Sequence, residues 1–221
     1  RVGCDKYKKL YNTYGATTLN KRHLDFKNKC VDIEFLGKKG VTNKSRITHP
    51  TCIRFLSKMS DIYGHNEYLF CYQDSQNNTH RINESQINNY LKKFHKNISV
   101  KMFRTWAANH ILLKKLLEYQ LPENVNQANK NVREAIKKAA DLMHHTRNVS
   151  KKSYMNNEFI DMYLNKPQEF GTIILSFKKA NNKLPTTDRI LNLFLTLLKK
   201  RNLSKKMNIE EKNKGSKKKK R

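Results

Sequence analysis

Val31-Asp32-Ile33-Glu34-Phe35-Leu36-Gly37-Lys38-Lys39-Gly40-Val41 decides the first half of the fold. Apolar side chains at 31, 33 and 35 alternate with polar ones, the period of a half-buried strand, and the Gly-Lys-Lys-Gly run supplies a turn that sends the chain back. Alternation resumes from Val41 to Ile47, and upstream Thr17-Thr18-Leu19 and His23 to Phe26 also read as strand-like. The expectation is a three- or four-stranded antiparallel sheet with the lysine hairpin projecting from its end.

Outward from the hairpin, the apolar period becomes helical after Pro50. Cys52, Phe55, Leu56 and Met59 share one face of a helix ending near Gly64. A short apolar stretch over 67–71 and a polar loop over 73–79 follow, and then Asn83 with Gln86 three residues on forms an N-cap and its capping-box partner. Ile87, Tyr90, Leu91 and Phe94 give that helix a buried stripe, and a second long helix carries Phe103, Trp106, Ala107, His110, Ile111 and Leu113 before stopping ahead of Pro122. A third spans 124–144 with the stripe Val132, Ala135, Ile136, Ala139 and Leu142. Ser150 is placed as N-cap of the next, which carries Tyr154, Tyr163 and Leu164. Apolar segments over 170–177 and 190–198 complete the body, the latter opened by Thr186 or Thr187 with Asp188. The fold class is therefore α+β and mainly α: a small antiparallel sheet and hairpin followed by a helical bundle.

Charge narrows the partner. The 221 residues carry a formal net charge of +28. The last twenty hold nine Lys/Arg against two Asp/Glu, which leaves 37 basic and 16 acidic residues over 1–201, still +21. A body with that imbalance repels itself unless a polyanion neutralises it, and nucleic acid is the leading polyanion. No apolar run approaches the roughly 18 residues that a membrane span needs, and no signal peptide stands at the start. Residues 1–201 read as the folded body and 202–221 as a basic, low-complexity and disordered tail. The run Lys217 to Arg221 suits a nuclear address or plain affinity for a phosphate backbone.

Cys4, Cys30, Cys52 and Cys71 show no CxxC pair and no metal-ligand spacing, which argues against a zinc module and suits a reducing compartment. There is no GxxxxGK[ST] loop, and the carboxylates are scattered rather than clustered. If the chain acts on phosphate, charge stabilisation must come from cationic side chains. The stretch His144-His145-Thr146-Arg147-Asn148-Val149-Ser150-Lys151-Lys152-Ser153-Tyr154 could bring an imidazole and a phenol to one such phosphate.

Five segments, in order, carry a resemblance. Arg1-Val2-Gly3-Cys4-Asp5-Lys6-Tyr7, Gly15-Ala16-Thr17-Thr18-Leu19 with His23, Phe35 to Gly40, Lys101-Met102-Phe103-Arg104-Thr105-Trp106, and His145 to Tyr154 resemble the motifs of the catalytic domain of type IB DNA topoisomerases, of the small kind found in poxviruses, some giant viruses and bacteria. The likeness covers residues 1 to about 165. It implies the catalytic fold shared by these enzymes and the tyrosine recombinases, and an enzyme that relaxes supercoiled DNA by transient single-strand cleavage without ATP, metal or other cofactor. By that resemblance Tyr154 is the nucleophile that forms a 3′-phosphotyrosyl link, and Lys38 is the general acid that protonates the 5′ oxygen. Arg1, Arg104 and His145 bind the phosphate oxygens, while Tyr7, His23, Lys101, Lys151 and Lys152 contact DNA.

The partner so implied is double-stranded DNA, bound by a monomer inside the cell, in a nucleus, virion or viral factory if the source is viral. Cys4 and Arg147 stand where the family commonly has Asn and Pro. The first arginine of the small enzymes is preceded by further helices and a β-rich domain, so a missing N-terminal part is expected, with weak or no activity from this chain alone. A tyrosine recombinase is the nearest alternative; it commonly has His-x-x-Arg where this chain has Lys101-x-x-Arg104. A non-catalytic basic DNA-binding fragment is the alternative from another class.

Overall fold

The computed structural model describes residues 1–63, 65, 68–179, 187 and 189–200. The chain divides into two compact units, the first Arg1–Phe103 and the second from Arg104 onward.

In the first unit a short helix α1 (Asp5–Tyr11) is followed by strands β1 (Leu24–Lys27), β2 (Cys30–Leu36) and β3 (Thr42–Ile47), paired antiparallel in the order β1-β2-β3. The alternating period of 31–35 is realised in the register, Val31 opposite Ile47 and Leu36 opposite Thr42. Val31 is fully buried with Leu56 and Leu69 in a small core. The strand-like reading of 17–19 fails, because Ala16–Thr18 is a single 3₁₀ turn. Thr17 and Thr18 are buried there and spend their hydroxyls on nearby backbone, Thr17 Oγ1 donating to the Val2 carbonyl at 2.9 Å and Thr18 Oγ1 to that of Gly15 at 3.1 Å. Such local bonds compete with a strand ladder.

Helix α2 (Pro50–Tyr63) buries Leu56, while Cys52 and Phe55 of the expected face are exposed, Phe55 stacking on Phe70 at 6.5 Å. A small hairpin of β4 (Cys71–Gln73) and β5 (Thr79–Arg81) encloses the polar loop. Helix α3 (Glu84–Lys92) begins with the expected reciprocal cap, the Asn83 amide accepting from Gln86 N at 3.0 Å and the Gln86 amide accepting from Asn83 N at 2.9 Å. Its expected buried stripe is half wrong: Ile87 and Leu91 are partly buried, whereas Tyr90 and Phe94 face solvent.

Helix α4 (Val100–Leu117) leads into the second unit. Its buried face is Ala108, Asn109, Leu112, Leu113 and Leu116, rotated from the expected one, so that Phe103 and Trp106 are exposed. Helix α5 (Val125–Leu142) is capped by Asn124 and buries Val132, Ala135, Ile136 and Ala139 as its pattern requires, although Leu142 in its last turn is exposed. Two short helices follow, α6 (Arg147–Tyr154) and α7 (Asn157–Asn165), then α8 (Pro167–Lys179) and a helical stretch over 189–200. The chain breaks between Tyr154 and Tyr163 because Asn156 starts a new helix, its side chain accepting from Phe159 N at 3.1 Å. Around Phe159, Tyr163, Phe170 and Phe194 the second unit gathers its core, with edge-to-face and tilted ring contacts at 4.8–5.6 Å. The fold is thus the α+β arrangement expected, a small sheet followed by helices. Thr186 and Asp188 as a helix start, and the tail 202–221, lie outside the described residues. Among the described residues no helix is long and apolar enough to cross a membrane.

Candidate active site

In the second unit the site is built by the end of α5 and the whole of α6. Helix α5 closes on His144, a non-glycine residue with φ 51°, whose N–H reaches the Asp141 carbonyl at 3.2 Å while His145 N reaches that of Ala140 at 2.9 Å. This paired closure is a Schellman motif and fixes where His145 leaves the helix. Thr146, not Ser150, is the N-cap of α6, accepting from Val149 N at 3.3 Å. Both residues have the hydroxyl a cap needs, but Ser150 is fully buried in mid-helix. After two turns α6 ends at Tyr154, where Met155 turns extended and its N–H closes on the Ser150 carbonyl at 3.2 Å. The two caps hold the histidine and the tyrosine at opposite ends of one short helix.

Their rings meet. His145 and Tyr154 stack with centres 4.8 Å apart and planes 15° from parallel. The Arg104 guanidinium, from α4, lies 5.7 Å from the Tyr154 ring centre. Its Nη2 donates to the Met143 carbonyl at 2.9 Å and also to His145 Nε2. A guanidinium has no acceptor, so in that contact Nε2 can only accept, while Nδ1 faces Ser150 Oγ at 3.5 Å. All three side chains are partly buried. An arginine, an imidazole and a phenol thus share one spot, the set needed to hold a phosphate and attack it.

Asn109, which sequence reasoning missed, braces the cluster. Buried on α4 at 3% exposure, it donates to the Thr105 carbonyl at 2.7 Å and to the Tyr154 carbonyl at 2.8 Å, and it accepts from Asn156 N at 2.9 Å. One amide therefore ties the break after Tyr154 to the helix that carries Arg104. The available signal was an asparagine at the buried phase of a long helix, a position that disfavours it unless its amide is bonded.

In the first unit the two glycine-bearing motifs lock together. Ala16 N donates to the Arg1 carbonyl at 2.8 Å and Thr17 N to that of Val2 at 2.6 Å. The contact is so close that a Cβ on Gly15 would stand 2.5 Å from Gly3 N and 2.7 Å from the Arg1 oxygen, while Gly3 itself sits at φ +103°. This explains both glycines and fixes the backbone of Arg1, whose side chain is exposed.

Lys38 sits on the turn between β2 and β3, closed by Gly37 N on the Val41 carbonyl at 2.8 Å, with Lys39 and Gly40 at φ 66° and 71°. Its Nζ lies 5.2 Å from the Tyr7 ring centre, and Tyr7, Tyr11, Thr13, Lys38, Lys39 and Gly40 line a cavity of about 480 Å³. His23 has Nδ1 accepting from Asn20 N at 3.1 Å, with its ring against Tyr14 at 4.4 Å. Burial, and then the charges of Arg22 and Lys8, push its pKa down to about 4. It is therefore neutral at pH 7, with its proton on Nε2. Lys101, Lys151 and Lys152 are exposed on α4 and α6.

Arg104, His145 and Tyr154 are thus brought together in the second unit, and Tyr7 and Lys38 in the first, where Arg1 is held by the 15–17 turn. Among the described residues no group of three or more His, Cys, Asp or Glu is placed to hold a metal ion.

Known proteins resemble this sequence. Residues 1–180 match the family described as eukaryotic DNA topoisomerase I, catalytic core. The DNA topoisomerase 1B of Acanthamoeba polyphaga mimivirus is 28% identical over 176 residues, 77% of this chain and 52% of that protein. The DNA topoisomerase I of Monkeypox virus is 26% identical over 174 residues, 75% and 50% respectively. The DNA topoisomerase 1 of rabbit fibroma virus is 25% identical over 182 residues, 78% and 52%. The chain spans about half the length of the curated relatives it matches. With most of its residues, and all five of its motifs, inside the matched region, the chain belongs to the family of the DNA topoisomerase I catalytic core.

Proposed function

We propose that this chain carries the strand-transfer site of a type IB DNA topoisomerase, acting on double-stranded DNA. The observation that supports this most directly is the cluster in which the Arg104 guanidinium and the His145 imidazole meet the Tyr154 ring. In the proposed reaction the Tyr154 oxygen gives up its phenolic proton to solvent, attacks a backbone phosphorus in line and forms the 3′-phosphotyrosyl bond. The bond to the 5′ oxygen breaks, and Lys38 supplies the proton that the departing oxygen needs. Religation runs the same steps backwards. One phosphodiester is exchanged for another, so the energy of the broken bond is retained and no ATP is consumed.

Arg104 and Arg1 neutralise the non-bridging oxygens, their planar forks matching two oxygens at once. For His145 to donate to phosphate as well, its Nε2 must carry a proton. The Arg104–His145 bond therefore gives way when DNA enters, and both side chains turn to the oxygens. His23, neutral at pH 7, serves as an uncharged Nε2–H donor rather than a cation. Tyr7 stands beside Lys38 and, with Lys101, Lys151 and Lys152, contacts the DNA backbone. The net charge of +28 supports a binding term that falls steeply with salt.

The test is incubation with an end-labelled duplex in EDTA, followed by a denaturing gel. A covalent 3′ adduct that disappears in Tyr154→Phe is expected. An adduct at another residue, or plain binding unchanged by Tyr154→Phe with no adduct at all, would overturn the assignment, the latter in favour of a non-catalytic DNA-binding protein.

A further inference from the structure

Three large aromatic side chains of the first unit lie in an exposed row. Tyr72 on β4 is 40% exposed, Tyr90 on α3 is 58% exposed, and Phe94, just beyond the end of α3, is 70% exposed. They are linked rather than scattered. The Gln86 amide donates to the Tyr72 hydroxyl at 3.1 Å, and Tyr90 follows Gln86 by four residues on the same side of α3. Phe94 follows by four more, its ring edge-to-face with Tyr90 at 5.3 Å between centres. Each step of four advances about 6 Å along a helix. At the β4 end, His80 lies 5.4 Å from the Tyr72 ring and is anchored by Asp74 at 2.7 Å. Ile87 and Leu91, on the adjoining edge of the same helical stripe, are partly buried, whereas Tyr90 and Phe94 are exposed.

At the Phe94 end of the row the charge is one-sided. Lys92, Lys93, Lys96 and His95 occupy 92–96 without a carboxylate among them, and Lys93 Nζ stands 6.0 Å from the Tyr90 ring centre. Exposed rings edged by cations suit a ligand that has flat apolar faces on an anionic backbone. An unpaired nucleic-acid strand has both. A paired duplex hides its base faces in the stack, so it can use the lysines but not the rings.

We propose that the Tyr72–Tyr90–Phe94 row is a stacking platform for an unpaired nucleic-acid strand, with Lys92, Lys93 and Lys96 holding its phosphates. None of these residues is assigned to strand transfer, so the proposal does not depend on that reading.

Fluorescence anisotropy on the full chain tests it, with a labelled 15-nucleotide oligothymidylate and a mixed-sequence duplex of equal length. Tyr90→Ala/Phe94→Ala should weaken single-strand binding by about tenfold or more, from the sequence-tolerant stacking energy of two bases. Duplex binding should change by less than about twofold, since its phosphate contacts remain. Tyr90→Trp/Phe94→Trp should restore single-strand binding, and circular dichroism of the alanine variant should match the wild type. Equal losses on both ligands, or no loss on the oligothymidylate, would overturn the platform. So would an alanine variant that is monomeric where the wild type is a dimer by sedimentation, because the row would then be an interface between copies. Loss of binding to phosphatidylserine vesicles with oligothymidylate binding intact would overturn it in favour of a membrane surface.

Discussion

Asn109→Ala should damage stability and chemistry together, because one buried amide holds three backbone groups around the tyrosine. The substitution removes donors to the Thr105 and Tyr154 carbonyls, at 2.7 and 2.8 Å, and the acceptor of the Asn156 amide at 2.9 Å. Each lost bond costs roughly 1 kcal/mol net, and burying the Asn156 N–H unmatched adds more, for a total of about 3–5 kcal/mol. Tyr154 loses its tie to the helix of Arg104, and a misplacement of ångström size lowers a positioned reaction by about a hundredfold. Urea denaturation measures the first quantity, and single-turnover formation of the covalent adduct, at a temperature where the variant is folded, measures the second. Asn109→Asp separates the two roles of the amide: it can still accept from Asn156 but repels the Tyr154 carbonyl, so it should be as slow as the alanine variant. A stability loss under about 1 kcal/mol, or an adduct rate within threefold of wild type, would refute the role given to Asn109.

Gly15→Ala drives a Cβ to within 2.5 Å of Gly3 N, backbone against backbone, so it should cost about 1–3 kcal/mol in urea and reduce adduct yield through the displaced Arg1. Thr146→Ala removes the N-cap of α6 and should cost about 1 kcal/mol by the same measure, with Thr146→Ser restoring it. His23, with its pKa held down to about 4 against an ordinary 6.5, stays neutral in the folded chain while the unfolded chain takes up a proton below pH 6.5. The unfolded state then binds more protons, so stability should fall as pH drops from 6.5 towards 4 and this contribution should flatten below that. Imidazole NMR titration should place the His23 midpoint near 4, and a midpoint near 6.5 would remove the effect.

What the sequence makes legible is what a short period or a fixed backbone requirement writes into it. The 31–47 hairpin is readable because alternation and two glycines both point to it, and the Asn83–Gln86 cap is readable because its partners are three residues apart. The site was legible only through its motifs. Arg104 and Tyr154 are fifty positions apart, and no local rule brings them together. Two kinds of residue escaped. Tyr90 and Phe94 fall in phase with Ile87 and Leu91 within a turn or so, and an apolar count cannot tell which edge of a stripe meets a neighbour and which meets water. Asn109 escaped because its identity matters only once a helix break 45 residues away is set against it.

The misplaced cap at Ser150 carries the physical lesson further. Had α6 begun there, Tyr154 would lie in its first full turn and His145 would precede it in extended chain, leaving the two rings with no common frame. Starting at Thr146 instead, the helix is only eight residues long, too short to persist by its own hydrogen bonds. Its ends are fixed from outside, by the Schellman closure of α5 at His144 and His145 and by the Asn109 amide at Tyr154 and Asn156. A helix so bounded holds an imidazole and a phenol face to face at 4.8 Å, with its ends set by bonds to its flanking backbone.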